Sequence, residues 1–127
     1  MSGLPPGLSS ESFCYVTTRG RRSGHPHEIE IWFAANGRTL YILSGGRDRS
    51  DWVRNIIAQP EVSVRMGGVT LAARGRIVTE AAEDALARRI VVAKYQPTYG
   101  EDLTQWGETS LPVALDACIA ESAAAPG

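Results

Sequence analysis

Three arginines stand close together between two hydrophobic segments near the N-terminus. They are Arg19, Arg21 and Arg22, within the stretch TTRGRRSG of residues 17–24. Guanidinium groups beside a serine hydroxyl, with glycines that let the backbone turn, form a binding place for a phosphate or for a row of carboxylates. Because a solvated arginine-rich turn has the same composition, this stretch alone leaves both interpretations open.

A second basic segment, SGGRDRSDW, covers residues 44–52. Arg47 and Arg49 lie directly before Asp51, where a helix is predicted to begin, and free N–H groups at a helix N-terminus favour an anion. Between Arg19 and Arg54 there are seven arginines against four acids, although the net charge of the whole chain is −1. Two such loops after neighbouring strands predict a site for one elongated polyanionic ligand.

The common catalytic motifs are missing from the sequence. It contains no G-x-S-x-G, no H-E-x-x-H and no G-x-x-x-x-G-K. His25 and His27 lack a third ligand for a metal, so we expect them to be surface or structural residues or to contact a ligand. Cys14 and Cys118 are too far apart for a CxxC pair and are predicted to be buried free thiols. An enzyme with this sequence therefore depends on a cofactor for its chemistry.

The pattern of apolar and turn-forming residues predicts six strands and two helices. The predicted strands cover residues 12–18, 27–35, 38–44, 61–66, 69–78 and 111–120, of which the last is also compatible with a helix. A hairpin turn of type I′ is predicted at Asn36-Gly37. The helices are predicted at 51–59, with Ser50 as N-cap and Pro60 beyond its end, and at 80–95, with Thr79 as N-cap.

Two of these elements have a clear apolar face. In the second strand, strict alternation separates Ile29, Ile31 and Phe33 from Glu28, Glu30 and Trp32. The latter face is either exposed to solvent, with Trp32 covering an edge, or a dimer surface, and we favour the dimer contact. In the second helix, the residues predicted to face the core are Ala82, Leu86, Ile90 and Ala93.

Hairpin connections without a β-α-β rhythm predict a mainly β fold with flanking helices, in which an antiparallel six-stranded sheet closes into a small barrel. We expect a flexible N-terminal arm at 1–11, one barrel domain at 12–122 and a disordered tail at 123–127. No apolar run approaches the roughly 18 to 20 residues of a membrane span, and the net charge gives no general attraction to nucleic acid. The protein is therefore expected to be cytoplasmic, with no membrane span and no nucleic-acid partner.

Two longer stretches, YVTTRGRRSGHPHEIEIWF (15–33) and LYILSGGRDRSDWVRNIIAQPEVSVRMGG (40–68), together resemble a known family. It is the deazaflavin-dependent nitroreductase family of the split β-barrel flavin and deazaflavin oxidoreductases. The shared pattern is a T-x-G-R-[RK]-[ST]-G turn, an S-x-G-G loop and a W-x-x-N-[LI] helix. The resemblance covers residues 12–78 and implies a split β-barrel that binds coenzyme F420, an 8-hydroxy-5-deazaflavin, in an extended groove.

The resemblance also implies roles for individual residues. The cofactor's phosphate and acidic tail would be held by the turn residues Arg21, Arg22, Ser23 and Gly24. The deazaflavin ring would lie beside Ser44, Gly45 and Gly46, where glycine allows close backbone approach. Because the second loop is about one residue short, its basic ligand is either Arg47 or Arg49. The helix motif is matched by Trp52 and Asn55, for which a core anchor and a loop cap are the alternatives, and Arg54 is a candidate phosphate neighbour.

The implied activity is hydride transfer from reduced F420 to an electron-poor small molecule, such as a quinone, an enone or a nitro compound. Tyr95, Tyr99 and Trp106 would cover this substrate, with the hydroxyl of Tyr95 or Tyr99 as catalytic proton donor, unless they are plain core aromatics. One alternative is an FMN-dependent oxidoreductase in which the same arginines hold the FMN phosphate. Another is a non-catalytic flavin- or deazaflavin-binding protein. A homodimer is also expected, since the wider superfamily often pairs barrels.

Overall fold

A seven-stranded antiparallel sheet forms the body of the protein in the computed structural model, which describes residues 4–5 and 7–118. The strands are β1 (Cys14–Arg19), β2 (Pro26–Ile31), β3 (Ala34–Asn36), β4 (Thr39–Ser44), β5 (Glu61–Met66), β6 (Val69–Ile77) and β7 (Leu111–Ala117). Their order across the sheet is β2-β1-β5-β6-β7-β4-β3. Only Trp32 and Phe33 separate the two edge strands β2 and β3 in the chain. The sheet is thus a half-barrel whose edges are joined by the polypeptide, which confirms the mainly β fold class.

The strand count differs from the predicted six because the segment 27–35 is broken in its middle. The backbone N–H of Phe33 donates to the hydroxyl of Tyr95 at 3.0 Å instead of to a neighbouring strand. β2 therefore ends at Ile31 and pairs with β1, whereas β3 begins at Ala34 and pairs with β4. One predicted strand thus supplies both edges of the sheet.

A glycine with positive φ closes the hairpin between β3 and β4. Between β3 and β4, Asn36 pairs with Thr39, so the central turn residues are Gly37 and Arg38. Gly37 has a φ of 64° while Arg38 has a negative one, which is the pattern of a type II′ turn. The predicted hairpin is confirmed. Its turn is of type II′ instead of type I′, and it lies one residue further along the chain than predicted.

Three α-helices flank the sheet: α1 (Asp51–Ala58), α2 (Ala81–Tyr95) and α3 (Thr104–Thr109). α1 follows Ser50 as predicted. The N-cap of α2 is Glu80, whose carboxylate accepts a hydrogen bond from the Glu83 N–H, so the predicted cap at Thr79 was wrong by one residue. α3 lies in a segment that was predicted to be a loop. Within the described residues, no helix is long and apolar enough to cross a membrane.

The buried face of α2 is rotated relative to the prediction. Ala87, Val91 and Tyr95 are buried, whereas Ala82 and Ala93 are exposed. Tyr95 decides this orientation because its ring stacks on Trp32, with 4.2 Å between the ring centroids and 5° between the planes. Burial of the large Tyr95 ring at the last turn stabilises the helix packing more than burial of the small alanines of the predicted stripe would.

Two apolar clusters hold the helices against the sheet. The first contains Val16 and Val64 of the sheet, Phe33 between β2 and β3, and Val53 and Ile56 of α1. The second lies under α2. α1 packs closely at Gly75 of β6, where an added Cβ would lie 2.7 Å from Cγ2 of Ile56.

The described part of the predicted N-terminal arm lies against the barrel. Leu8 is buried in the first cluster, and Lys94 Nζ donates to the carbonyls of Ser9 (3.2 Å) and Glu11 (2.7 Å). Residues 1–3 and 6 of the arm, and the predicted tail at 123–127, lie outside the described residues.

The two cysteines differ in burial. Cys14 is buried, which raises its pKa to about 12, but Cys118 is exposed. The prediction of two buried thiols was therefore wrong for Cys118.

Candidate functional site

A cavity of about 440 Å³, here called the turn cavity, lies between the arginine turn and α1. Its lining residues are Thr18, Gly20, Arg21, Arg22, Ser23, His27, Glu28, Ile29, Asp51, Trp52 and Asn55. Five of the twelve predicted cofactor-binding residues are among them, from two segments about 30 positions apart. The structure therefore brings the arginine turn and the predicted W-x-x-N helix together around one space.

The arginine turn is tight and depends on its glycines. The Gly20 N–H donates to the His25 carbonyl, and the Gly24 N–H donates to the Gly20 carbonyl, both at 2.8 Å. An added Cβ on Gly20 would lie 2.7 Å from Ser23 Oγ and 2.9 Å from His27 Nε2. Gly24 has a φ of 76°, which a side chain would strain. Gly24 does not line the cavity, so its place in the turn is explained by backbone conformation.

Arg21 ties the turn to α1. Its backbone N–H and its Nη1 both donate to Oδ1 of Asn55, at 3.2 and 2.8 Å, and its Nη2 forms an ion pair with Asp51 at 3.2 Å. Asn55 is buried and donates from Nδ2 to Oγ1 of Thr18 at 3.1 Å. The polar atoms of Asn55 are thus satisfied within the chain, which is the behaviour of a loop anchor.

Arg22 is the available cation of the turn cavity. Its side chain is exposed and makes no hydrogen bond or ion pair within residues 4–5 and 7–118. The hydroxyl of Ser23 is exposed beside it and accepts only the His25 N–H at 3.1 Å. By contrast, the cavity carboxylates are paired, Asp51 with Arg21 and Glu28 with Arg65. A free guanidinium next to neutralised acids makes this space favourable for an anion.

The second predicted loop lies outside the turn cavity. Ser44, Gly45, Gly46, Arg47, Arg49 and Arg54 are all absent from its lining. Ser44 is buried, and its Oγ bonds to the Arg47 carbonyl and to Ser50 Oγ, both at 2.9 Å. Arg54 Nε donates to the Asp48 carbonyl at 3.2 Å. The loop is therefore fixed by its own hydrogen bonds, and it meets the cavity only through α1, which follows it in the chain.

Arg47 and Arg49 differ in what their side chains do. Arg47 has a φ of 55°, a left-handed conformation that costs a non-glycine residue roughly 1 kcal/mol or more. Its Nη1 donates to the Thr109 carbonyl, so the side chain ties this loop to the end of α3. Arg49 has an exposed side chain without a hydrogen bond among the described residues. Of these two candidates, Arg49 is the one whose charge is available.

Gly45 adjoins a second cavity of about 350 Å³, here called the aromatic cavity. Its lining residues are Trp32, Tyr99, Glu101, Asp102, Leu103 and Trp106. An added Cβ on Gly45 would lie 3.5 Å from Nε1 of Trp106. The loop predicted to lie along the redox ring is therefore in contact with the aromatic segment predicted to cover the substrate.

The two predicted catalytic tyrosines occupy different places. Tyr95 is buried, and its hydroxyl accepts from the Phe33 N–H and lies 2.8 Å from the Ser12 carbonyl and 3.0 Å from the Phe33 carbonyl. Burial raises its pKa, and Tyr95 lines neither cavity. The hydroxyl thus contacts backbone groups away from both cavities, which favours a structural role for Tyr95 over the predicted role of proton donor. Tyr99 is 44% exposed and lines the aromatic cavity.

Trp32 packs within its own chain. It stacks on Tyr95 and makes edge contacts with Tyr99 and Trp106, at centroid distances of 5.3 and 5.7 Å. Trp32 is half-buried and packs against Tyr95 of α2 and Trp106 of α3, and its contact with a second subunit stays a prediction. Sequence alternation missed this because the strand bends at Trp32.

A polar cluster that the sequence did not reveal connects α2 to the sheet. Arg76 donates to Glu83 at 2.8 and 2.7 Å and to Asp116 at 2.7 Å, and the Tyr41 hydroxyl donates to Glu83 at 2.6 Å. The hydrogen bonds from Arg76 and Tyr41 hold the pKa of Glu83 at about 2, while burial raises that of Tyr41 to about 12. These residues come from four separate elements, so no local pattern could group them.

The family of the protein is given by its sequence as a whole. A family model described as F420H(2)-dependent quinone reductase matches residues 7–117. The chain belongs to this family. Its cofactor is accordingly coenzyme F420, and the protein is an F420-dependent oxidoreductase. No significant match was found among curated proteins.

Several solved structures share the fold. One described as an F420-H2 dependent reductase (FDR-A) is 23% identical with a TM-score of 0.65, over 82% of this chain and 93% of that chain. One described as an F420 reductase is 20% identical with a TM-score of 0.59, over 90% and 95%. A putative pyridoxamine 5′-phosphate oxidase from Listeria innocua is 16% identical with a TM-score of 0.65, over 87% of each chain. These likenesses show that the half-barrel is a split β-barrel.

The residues of the turn cavity fit the anionic end of a cofactor. The unpaired Arg22 and the Ser23 hydroxyl are donors for phosphate or carboxylate oxygens. Trp52 and Ile29 add apolar surface to the lining. This donor set suits the phosphate and acidic tail of F420.

Proposed function

We propose that the protein reduces an electron-poor small molecule, a quinone, an enone or a nitro compound, with reduced F420 bound along the arginine turn and α1. The observation that carries the proposal is the unpaired guanidinium of Arg22 in a cavity whose carboxylates are already neutralised. A quinone is the acceptor that the name of the family describes. The nitro and enone acceptors rest on the resemblance of the turn, loop and helix motifs.

The arginine turn would hold the charged end of the cofactor. Arg22 and Ser23 would donate charge-assisted hydrogen bonds to its phosphate and acidic tail. Arg21 would act as a positioning residue, because its bonds to Asn55 and Asp51 fix the distance between the turn and α1. Since these bonds exist before any ligand binds, little ordering of the turn would be required on binding.

The loop after β4 would hold the ring at the reacting end. The N–H groups of Gly45 and Gly46 would bond to the polar edge of the ring, with Arg49 as the available cation. Bound reduced F420 supplies a hydride to the acceptor. Trp106 and Tyr99 would orient the acceptor and keep water away from it, and Tyr99 is the remaining candidate for supplying a proton.

A homodimer is part of the proposal. β2 is an edge strand, and its residues Glu28 and Glu30 are exposed, as is Phe13 beside it. An open strand edge next to an exposed aromatic favours pairing with a second copy. Light scattering after size exclusion would give about twice the 13.7 kDa mass of one chain, and a strictly monomeric protein would contradict this part.

The experiment that tests the function is steady-state oxidation of reduced F420, followed by its absorbance, with menadione, a cyclic enone and a nitroimidazole as acceptors. We expect turnover with at least one of the three and saturation in both substrates. Binding of F420 without turnover of any acceptor would instead support a deazaflavin-binding protein. A parallel titration with FMN tests the flavin alternative, and binding of FMN at least tenfold tighter than F420 would reject F420 as the working cofactor.

A further inference from the structure

The aromatic cavity combines ring faces with negative charge and shares no lining residue with the turn cavity. Three of its six lining residues are aromatic and two are acidic, and none is basic. The whole segment 95–118 contains four acids and neither lysine nor arginine. Such a composition selects against an anion and in favour of a cation.

The rings of the aromatic cavity do not all face in the same direction. One face of Trp32 is covered by Tyr95, which stacks on it at an interplanar angle of 5°. Tyr99 and Trp106 stand nearly perpendicular to Trp32, at 86° and 84°. Perpendicular rings present negative π faces along more than one axis, as in sites that surround a methylated ammonium group.

The two carboxylates of the cavity carry uncompensated charge. Asp102 accepts hydrogen bonds from the Thr104 N–H at 2.9 Å and from its Oγ1 at 2.6 Å, and these bonds keep its pKa below the usual range. The Glu101 side chain is exposed and makes no hydrogen bond or ion pair in the described part of the chain. Arg88 reaches the carbonyls of Gly107 and Glu108 but is paired with Asp84. Neither cavity acid is thus neutralised by a cation.

We propose that the aromatic cavity binds a small organic cation of the quaternary or methylated ammonium class. The rings of Trp32, Tyr99 and Trp106 supply cation–π attraction, and Glu101 and Asp102 supply the opposite charge. The cavity of about 350 Å³ is large enough for such a group with a short substituent. Tyr99 and Trp106 are also the residues proposed above to orient the acceptor, so the cation would occupy the same cavity as the acceptor. Its binding requires neither F420 nor turnover, and Trp106 brings the cavity next to Gly45.

The three tryptophans of the chain allow a direct test by nuclear magnetic resonance. Trp32 and Trp106 line the aromatic cavity, whereas Trp52 lines the turn cavity. The ¹⁵N-labelled full chain, without F420, is titrated with choline and separately with its neutral isostere 3,3-dimethylbutan-1-ol. The Trp52 indole signal is assigned with Trp52→Phe. We expect saturable shifts of the Trp32 and Trp106 indole signals with choline, an unmoved Trp52 signal, and at least tenfold weaker binding of the isostere.

Variants on exposed positions complete the test without disturbing the fold. Tyr99→Leu and Glu101→Gln should each weaken choline binding about threefold to tenfold, while Glu108→Gln, a matched exposed acid outside the cavity lining, should change it less than twofold. The proposal is overturned if the isostere binds as tightly as choline or if Trp52 shifts instead. It is equally overturned if no signal saturates, or if Glu108→Gln weakens binding as much as Glu101→Gln.

Discussion

Removal of the Arg22 side chain should weaken the binding of F420 and leave the free energy of unfolding almost unchanged. Arg22 makes no hydrogen bond or ion pair within the described chain, so Arg22→Ala should change the free energy of unfolding by less than about 0.5 kcal/mol. A charge-assisted hydrogen bond contributes about 1.5–3 kcal/mol. Because Arg22 is exposed and water screens it, we take the lower part of this range, about 1.5–2 kcal/mol, which is roughly a 10- to 30-fold rise in Kd.

The assay is fluorescence titration of F420 with the wild-type protein and the variants. Arg89→Ala is the matched control, because Arg89 is an exposed arginine on α2 that lines neither cavity. Both variants lose one positive charge, but only Arg22→Ala should weaken binding, and the loss should shrink at high salt. If Arg22→Ala keeps the Kd within twofold of the wild type, the arginine turn is a solvated bend and the reasoning fails.

Three further predictions concern residues that hold the site. Asn55→Ala should lower the free energy of unfolding in urea by about 2 kcal/mol, because the part-buried N–H of Arg21 and its guanidinium lose their shared acceptor. Tyr95→Phe should lower it by about 1–3 kcal/mol while kcat changes less than twofold, since its hydroxyl serves the buried Phe33 N–H. The pKa of Glu83 is about 2 in the folded protein against 4.5 ordinarily, so its stabilisation is complete above about pH 5. It is lost as the pH falls from there towards 2, and Glu83→Gln should flatten this part of the stability profile.

Each of these three predictions has an outcome that would contradict it. Asn55→Asp keeps the acceptor for Arg21 and should be milder than the alanine variant; equal losses would mean that this bond does not anchor the turn. For Tyr95→Phe, a large fall in kcat at unchanged stability would restore Tyr95 as a catalytic residue. For Glu83→Gln, an acid transition as steep as that of the wild type would show that other carboxylates dominate it.

Local patterns predicted those parts of the fold whose causes lie within a few residues. Gly20 and Gly24 marked a tight turn because a Cβ clashes or strains there, and Ser50 and Pro60 bounded α1. The grouping of Arg21, Arg22 and Trp52 came from the family resemblance, whose motifs include both the turn and the helix that line this cavity.

Other features of the structure depend on long-range contacts. The predicted second strand breaks because Tyr95, 62 positions away, takes the N–H of Phe33. Asn55 anchors Arg21 across 34 positions, and no periodicity connects them. Tyr95 itself looked like a candidate for chemistry because its type suits proton transfer, and only its burial among backbone groups showed a structural role.

The measurement that tests the central claim most directly is a crystal structure of the complex with F420. The account predicts the phosphate within hydrogen-bond distance of Arg22 and Ser23 and the ring reaching Gly45 and Gly46, with Arg21 still bonded to Asn55. A cofactor bound elsewhere on the barrel, with the space between the arginine turn and α1 empty, would contradict it.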